Sequence, residues 1–273
     1  MLNTIVARWR QGHRTISFPE SQPTLPDRLR GLPVLDGAKC PDSCRACAEV
    51  CPTEAITTGM KALTMDLGRC LFCGDCAAAC PEQAIRFSQD YRLAVRRRED
   101  LCMTGDTLRL ATALGENMRR LFGRSLKLRQ VSAGGCNACE ADVNVLSTVV
   151  FDLGRFGIQF VASPRHADGL LITGPVTENM RLALEKTCAA VPDPKMVIAV
   201  GSCAISGGLF RGNSEVHDGA GSVVPLDLYI PGCPPHPITI LDGLLRLLGR
   251  IPAQPRRCEG LQGEPWRPEP KRR

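Results

Sequence analysis

A repeated cysteine pattern between residues 40 and 87 constrains the fold of this chain more than any other feature. Each half of the repeat carries three closely spaced cysteines, then a fourth followed directly by proline, and then a short Ala-Ile segment. The two halves are CPDSCRACAEVCPTEAI and CLFCGDCAAACPEQAI. Short loops of this kind bring three thiols to one side of a bound group, while the Cys-Pro turn directs the fourth thiol elsewhere. The first half has three residues rather than two between its first two cysteines, so we expect a slightly altered loop there.

The repeat resembles the bacterial-type ferredoxin domain, a small α+β unit that holds two 4Fe–4S clusters. That resemblance implies crossed ligation, in which each half contributes three thiols to one cluster and one thiol to the other. By position, the first cluster would be held by Cys40, Cys44, Cys47 and Cys80, and the second by Cys51, Cys70, Cys73 and Cys76. Structural zinc is the alternative, but a paired Cys-Pro repeat does not have the spacing of a zinc ribbon.

A second set of cysteines lies downstream, at the ends of predicted strands. Cys136 and Cys139 stand in GGCNACEAD, Cys203 in GSCAISGG, and Cys233 in IPGCPPHP. Each block adjoins an apolar run and contains glycine or proline, which indicates a strand-end loop. Such loops can converge at the carboxyl edge of a parallel sheet, where open α/β sheets bind ligands. Four thiolates without a histidine suit an iron–sulfur cluster or a structural zinc.

Composition indicates an intracellular metal protein. The 273 residues include 15 cysteines, and we find neither a signal peptide nor an apolar run of about 18 residues. We therefore expect a cytosolic protein with reduced thiols. The formal net charge of +6 would suit nucleic-acid binding, but residues 91–130 alone hold ten basic and four acidic residues, an excess equal to that of the chain. Because the charge excess belongs to this one segment, we predict no nucleic-acid partner.

The chain divides into five predicted segments. An N-terminal helix and a proline-rich extended stretch occupy 1–37, the ferredoxin domain 38–90, a basic helical linker 91–124, an iron–sulfur domain 125–252, and a disordered tail 253–273. The first helix has Leu2, Ile5, Val6 and Trp9 on one face, which could pack on its own domain or dock on a partner. In the linker, apolar spacing predicts a helix over Asp106–Phe122.

From Ser125 onward, strands and helices alternate. The predicted strands are Leu126–Val131, Ile158–Ala162, Gly169–Thr173, Met196–Val200 and Leu226–Ile230, and the predicted helices are Glu140–Gly154, Thr177–Ala190 and Pro237–Leu248. This alternation predicts a parallel sheet covered on both faces. The predicted fold class is therefore α/β, with a flavodoxin-like parallel sheet domain following a small α+β ferredoxin domain.

Four blocks in this region, CNACE, RHADGLLITGPVTEN, GSCAISGG and IPGCPPHP, together resemble the small subunit of nickel–iron hydrogenases and its relative, the 20-kDa subunit of complex I. The resemblance spans about Ser125 to Arg250. It implies that a proximal 4Fe–4S cluster is held by Cys136, Cys139, Cys203 and Cys233. The Cys-x-x-Cys spacing is that of hydrogenases, whereas complex I subunits carry adjacent cysteines. Fusion to a ferredoxin domain is similar to complex-I-related, membrane-associated hydrogenases of the formate hydrogenlyase and hydrogenase-4 types.

This resemblance implies an electron-transfer subunit with three 4Fe–4S clusters and no catalytic residue of its own. The nickel–iron site would lie on a large partner subunit (complex I 49-kDa-like), because the remaining cysteines, Cys102, Cys188 and Cys258, are scattered singly. Other expected partners are further iron–sulfur and membrane-arm subunits and a redox partner such as a formate dehydrogenase or ferredoxin. The expected location is cytoplasmic, peripheral on the inner face of the membrane. The alternative is the connecting subunit of a complex-I-like NADH/ferredoxin:quinone oxidoreductase.

Overall fold

The computed structural model describes residues 2–12, 14–41, 43–59 and 62–251. Its helices are α1 (Leu2–Gln11), α2 (Ala46–Glu49), α3 (Asp75–Ala79), α4 (Glu116–Phe122), α5 (Ala138–Val145), α6 (Glu178–Ala190), α7 (Ser202–Ser206) and α8 (Pro237–Leu247). Its strands are β1 (Pro33–Leu35), β2 (Ile56–Gly59), β3 (Ala62–Asp66), β4 (Ile85–Phe87), β5 (Cys102–Thr104), β6 (Leu126–Ser132), β7 (Ile158–Phe160), β8 (Gly169–Thr173), β9 (Met196–Val200) and β10 (Leu228–Ile230). The predicted tail 253–273, with Cys258, lies outside the described residues.

The last five strands form one parallel sheet in the order β10-β9-β8-β6-β7. Read from β7, with β6 counted as strand 1, the order is 2-1-3-4-5, which is that of flavodoxin-like folds. The predicted fold class is therefore confirmed. Every residue of β8 and β9 is buried, as expected for central strands covered on both faces. All five predicted strands exist, and the order reverses beside β6, which opens a crevice at the carboxyl edge.

The ferredoxin-like region is built from two small antiparallel sheets and the short helices α2 and α3. Strand β1 pairs with β4, which joins the residues before the cysteine repeat to those after it. Strands β2 and β3 form a hairpin that β5 extends on its far side. The sequence did not predict β5. This strand is formed by Cys102–Thr104, in the segment that was predicted to be a linker.

The two regions share apolar packing. Ala199, Ala204 and Ile205 of the parallel-sheet region are buried in the same cluster as the apolar residues of the ferredoxin-like region. Val95 also pairs with Tyr229 of the edge strand β10 through two backbone hydrogen bonds. The segment between the regions is therefore part of the folded body.

The helix predicted over Asp106–Phe122 is wrong in its first half, since only α4 is helical. Residues Leu108, Ala111 and Leu114 are buried instead along a non-helical path. The amide of Ala111 donates to Ala94 and that of Leu114 to Leu247, so tertiary contacts replace helical hydrogen bonds. Apolar residues three apart fit either geometry, and tertiary packing decided between them.

Other boundaries differ more modestly. The helix predicted over Glu140–Gly154 ends at Val145, and α1 forms as predicted but leaves Ile5, Val6 and Trp9 exposed. Thr177 occupies the N-cap position of α6 without a capping side-chain hydrogen bond. Within the described residues, no helix combines the length and apolarity needed to cross a membrane.

Candidate metal centres

The twelve cysteines predicted as ligands occupy three places in the fold. We name them group A (Cys40, Cys44, Cys47, Cys80), group B (Cys51, Cys70, Cys73, Cys76) and group C (Cys136, Cys139, Cys203, Cys233). Groups A and B lie in the ferredoxin-like region. Group C lies on the segments that follow three strands of the parallel sheet, with Cys139 in α5 and Cys203 in α7.

All four cysteines of group B line one cavity, together with apolar side chains such as Met65 and Phe87. Burial raises the pKa of the Cys70 thiol, and the neighbouring charges of Cys76, Cys51 and Cys73 add to that rise. Burial likewise raises the pKa of Cys76 to about 12. Cys51 therefore lies among cysteines of the other half of the repeat.

Group A is assembled in the reciprocal way. Burial raises the pKa of Cys47, with further contributions from the charges of Cys40 and Cys80. Cys80 belongs to the second half of the repeat, whereas its neighbours belong to the first. Cys44 is half-buried on the same loop, with its amide donating to the carbonyl of Pro41 at 3.0 Å.

The two Cys-Pro turns share a backbone feature that the sequence did not reveal. The amide of Ala55 donates to Sγ of Cys51 at 3.3 Å, and the amide of Ala84 donates to Sγ of Cys80 at 3.2 Å. The residue before each alanine adopts a positive φ, 50° at Glu54 and 52° at Gln83. This turn points the next N–H back at the sulfur. Hydrogen bonds to ligand sulfurs are one means by which a protein sets the potential of an iron–sulfur cluster.

Group C gathers at the carboxyl edge of the parallel sheet, on the turns and first helical residues after β6, β9 and β10. Burial raises the pKa of Cys139, with added effects from the other three thiols of the group. Burial also raises the pKa of Cys203 to about 11, again with contributions from Cys233 and Cys136. Cys136 and Cys233 are exposed, so one side of the group faces outward.

Two glycines give the group C thiols their space. A Cβ on Gly201 would lie 2.5 Å from Sγ of Cys139, and one on Gly208 would lie 2.8 Å from Sγ of Cys203. Both glycines also have positive φ, 91° and 57°. A larger residue at either position would displace a thiol and strain the backbone at the same time.

Glu140 is a buried carboxylate directly after Cys139. Its Oε1 accepts hydrogen bonds from Ser132 Oγ and Thr173 Oγ1, both at 2.6 Å. Burial acts to raise the pKa of Glu140, but these hydrogen bonds outweigh it and hold the pKa below its ordinary value. The structure shows a negative charge held against Cys139 and Cys203, whose pKa values it helps to raise.

The three groups form a series rather than a cluster. The charge of Cys47 contributes to the raised pKa of Cys76, which links group A to group B. The charge of Cys73 contributes to the raised pKa of Cys233, which links group B to group C. Ser202 reinforces the second link, because its hydroxyl donates to the carbonyl of Cys70 at 2.6 Å and lies 3.2 Å from the carbonyl of Gly232.

The donor set of the three groups fits 4Fe–4S clusters. The four thiols of group B line one cavity, and thiolates without a histidine are the ligand type of such clusters.

Comparison with known proteins gives two family matches. Residues 136–247 match the model of the NADH ubiquinone oxidoreductase 20 Kd subunit, and residues 9–85 match the 4Fe-4S dicluster domain. A probable membrane-bound hydrogenase subunit of Pyrococcus furiosus is 40% identical over 136 residues, which cover 48% of this chain and 79% of that protein. The chain belongs to the NADH ubiquinone oxidoreductase 20 kDa subunit family.

Other members of the 20 kDa subunit family are similarly close. Formate hydrogenlyase subunit 7 of Escherichia coli is 46% identical over 128 residues, which span 47% of this chain but only half of that subunit. An NADH-quinone oxidoreductase subunit of Desulfovibrio desulfuricans is 40% identical over 133 residues, covering 49% of this chain and 69% of that protein. A chain of the membrane-bound sulfane sulfur reductase, an archaeal respiratory membrane complex, is 34% identical, with a TM-score of 0.44 and coverage of 50% of this chain and 75% of the other.

The 20 kDa subunit match begins at Cys136 and includes all of group C, while the dicluster match includes groups A and B. Iron–sulfur binding in the ferredoxin-like region is thus supported independently of the pKa pattern. Sequence reasoning missed Ser202 and the two glycines beside the thiols, although each adjoins or lies near Cys203. His236 caps α8, where its Nδ1 accepts from the amide of Ile238 at 3.2 Å.

Proposed function

We propose that this chain is the electron-transfer subunit of a multisubunit nickel–iron hydrogenase complex. In this proposal, groups A, B and C each hold one 4Fe–4S cluster, giving three in total. The carrying observation is that the four group B thiols line one cavity, while Ser202 joins the backbone of Cys70 to the loop of Cys233 at the exposed sheet edge. We also retain 38–90 and 125–252 as the proposed limits of the two cluster-binding domains.

A bound 4Fe–4S cluster supplies reversible transfer of one electron at a time. The chain's own residues space the three groups, keep water from the inner thiols and stabilise thiolate charge. Cys70 and Cys76 are buried, and the amides of Ala55 and Ala84 donate to sulfur. Glu140 adds a negative charge on the inner side of group C.

The exposed side of group C is the proposed docking face for the large subunit. Cys136 and Cys233 are exposed, and Leu209 and Phe210, which follow α7, remain 60% and 49% exposed. Apolar exposure beside a redox group is typical of a surface covered in a complex. The nickel–iron site would lie on that partner (complex I 49-kDa-like), and this chain would carry no catalytic residue. Group A would then exchange electrons with a formate dehydrogenase or a ferredoxin.

The alternative is a connecting subunit in a complex-I-like NADH/ferredoxin:quinone oxidoreductase. Relatives with both kinds of name match this chain at similar identity. The Cys-x-x-Cys spacing of Cys136 and Cys139 favours the hydrogenase, because Asn137 and Ala138 separate these two cysteines instead of leaving them adjacent. Nickel in the purified complex would support the hydrogenase, and its absence with quinone reduction would support the alternative.

We propose a cytoplasmic location, peripheral on the inner face of the membrane, with other iron–sulfur and membrane-arm subunits as neighbours. The Pyrococcus furiosus relative supports this proposal by its name, as a probable membrane-bound hydrogenase subunit.

Metal analysis of the anaerobically reconstituted chain tests the cluster assignment. We expect about twelve iron and twelve sulfide per chain, as for three four-iron clusters. Cys139→Ser should remove or alter the signal of group C and stop electron transfer to the large subunit. Signals of groups A and B should persist. A wild-type load near eight iron would mean that one group is empty. Hydrogen turnover by the isolated nickel-free chain would contradict the proposal that the catalytic site lies on the partner.

A further inference from the structure

Helix α1 presents an unusual surface for a segment outside both cluster-binding regions. Trp9 is 84% exposed, Ile5 65% and Val6 38%, although all three are large and apolar. At 100° per residue, Ile5 and Trp9 lie one above the other, and Val6 borders them on the same side. These three residues of the predicted apolar face are therefore left uncovered by the described part of the chain.

Charge is distributed around this face in a specific way. Arg8 lies on one side of the apolar stripe and Arg10 on the other, and both are exposed. No acidic residue occurs before Glu20, so the helix and its surroundings in sequence are purely basic. This surface has an apolar stripe between two cations. It is complementary to a partner whose interior is apolar and whose outer layer is anionic.

The segment that follows the helix is hydrogen-bonded to the body. Its C-terminal end is closed at Gly12, whose amide donates to the carbonyl of Arg8 at 3.1 Å. Shortly afterwards Thr15 Oγ1 donates to the carbonyl of Val149 at 2.8 Å, and the amide of Ile16 donates to that of Val150 at 3.0 Å. Val149 and Val150 are themselves 65% and 40% exposed. The chain four residues beyond α1 therefore lies beside further uncovered apolar surface.

We propose that α1 lies flat on an anionic phospholipid bilayer, with Ile5, Val6 and Trp9 at the acyl boundary and Arg8 and Arg10 at the phosphates. A helix of ten residues is about 15 Å long, too short to cross a bilayer but suited to its interface. Tryptophan is the residue best suited to the headgroup level, because its ring is amphipathic. A groove on a protein could cover the same apolar stripe, but paired flanking arginines with no acidic residue favour lipid phosphate.

This inference deepens the proposed peripheral location by naming the element in contact with the membrane, and it does not require the clusters to be those assigned above. The test uses the full chain carrying Trp266→Phe, which leaves Trp9 as the one tryptophan of the two in the sequence. Vesicles of phosphatidylcholine with about one third phosphatidylglycerol are compared with vesicles of phosphatidylcholine alone. We expect flotation with the anionic vesicles and a blue shift of Trp9 emission, both weaker with the neutral vesicles and at high salt.

Three variants make the test specific. Ile5→Ser with Trp9→Ser should lower vesicle partitioning about tenfold or more, because two apolar side chains lose their burial. Arg10→Glu should remove the preference for anionic over neutral vesicles. Leu182→Ser, at a leucine of α6 that is 53% exposed, is the matched control and should bind like the parent.

The outcomes separate this proposal from the cluster assignment. Unchanged Trp9 emission with anionic vesicles, or equal flotation of the Ile5/Trp9 and Leu182 variants, would overturn the membrane contact and leave α1 as a face for a protein partner. Iron content is measured in the same samples. A low iron load with normal flotation would count against the clusters alone, while normal iron without flotation would count against this proposal alone.

Discussion

Ser202 Oγ lies 2.6 Å from the carbonyl oxygen of Cys70, so a hydroxyl beside a group C cysteine is hydrogen-bonded to the backbone of a group B cysteine. The same hydroxyl is 3.2 Å from the carbonyl of Gly232, which precedes Cys233. One buried side chain therefore connects the loops of Cys70, Cys203 and Cys233. Neighbouring Ser206 repeats the contact by donating to Gly68 at 2.8 Å.

Replacing Ser202 by alanine should loosen the connection between groups B and C. The carbonyl of Cys70 would lose its donor, at a cost of about 1–3 kcal/mol in the free energy of unfolding, whereas the carbonyl of Gly232 keeps the amide of Ser202. We also expect a weaker magnetic interaction between the two reduced clusters and slower electron transfer between them. Paramagnetic resonance and rapid-mixing spectroscopy measure these effects. Ser202→Thr keeps the hydroxyl and should restore the interaction, whereas equal behaviour of both variants would show that the hydroxyl has no such role.

Crossed ligation can be tested with a symmetric pair of variants. Cys51→Ser should change the paramagnetic signal or potential of the cluster held with Cys70, Cys73 and Cys76, because Cys51 lines their cavity. Cys80→Ser should in turn change the paramagnetic signal or potential of the cluster that Cys47 helps to hold. Each variant serves as the control for the other. A Cys51 variant that disturbs only the cluster of its sequence neighbours would refute the crossed arrangement.

Glu140 should lower the reduction potential of the group C cluster, since its fixed negative charge opposes an added electron. Glu140→Gln keeps an oxygen that can accept from Ser132 and Thr173 but removes the charge. We expect the midpoint potential to rise by on the order of 50 mV, as for a unit charge about 10 Å away in a protein interior. Redox titration monitored by paramagnetic resonance gives the value. Asp142→Asn, on the same helix, is the control, and an equal shift in both variants would contradict a specific effect of Glu140.

The ion pair of Asp242 and Arg246 makes a prediction about stability and pH. Arg246 Nε donates to Asp242 Oδ2 at 2.7 Å, and both residues are buried. Arg246→Met should destabilise the fold by about 3–5 kcal/mol near neutral pH, because it leaves a buried carboxylate unpaired. Replacing both residues by apolar ones should recover most of that loss. Arg181→Met breaks an exposed pair with Glu185 and should change stability little.

The direction of the pH effect follows from Asp242. Burial raises its pKa, and the nearby Arg246 opposes the rise. A carboxyl whose pKa is higher in the folded than in the unfolded state costs stability when ionised, and that cost disappears as acid protonates it. The loss in Arg246→Met should therefore shrink as the pH is lowered from 7 towards 4. Urea unfolding at several pH values measures it, and a loss that stays constant or grows on acidification would contradict this account.

Much of the fold could be predicted because its signals are local. The cysteine repeat and the alternation of apolar strands with helices each carry their pattern within short windows, and all five strands of the parallel sheet were found. The stretch Leu108–Leu114 could not be predicted, because its backbone hydrogen bonds go to Ala94 and Leu247, which are distant in sequence. Strand β5 was missed for the same reason.

The candidate site, like the fold, could be predicted only in part. Thiol-bearing loops are visible in sequence, but the residues that support them are ordinary ones in unusual positions. Glu54 and Gln83 matter through positive φ, Gly201 through the space it leaves for Cys139, and Ser202 through a partner 132 positions away. Neither residue type nor spacing reveals such roles, since each depends on the folded backbone.

The apolar packing of Ala199, Ala204 and Ile205 with the ferredoxin-like region has a kinetic consequence. A diffusible ferredoxin must find its acceptor, so its electron delivery depends on concentration and salt. Here the proposed donor and acceptor groups are parts of one folded body, so the fold fixes the effective concentration of one group at the other. Transfer between groups B and C should therefore be first-order, with a rate that neither dilution nor ionic strength alters.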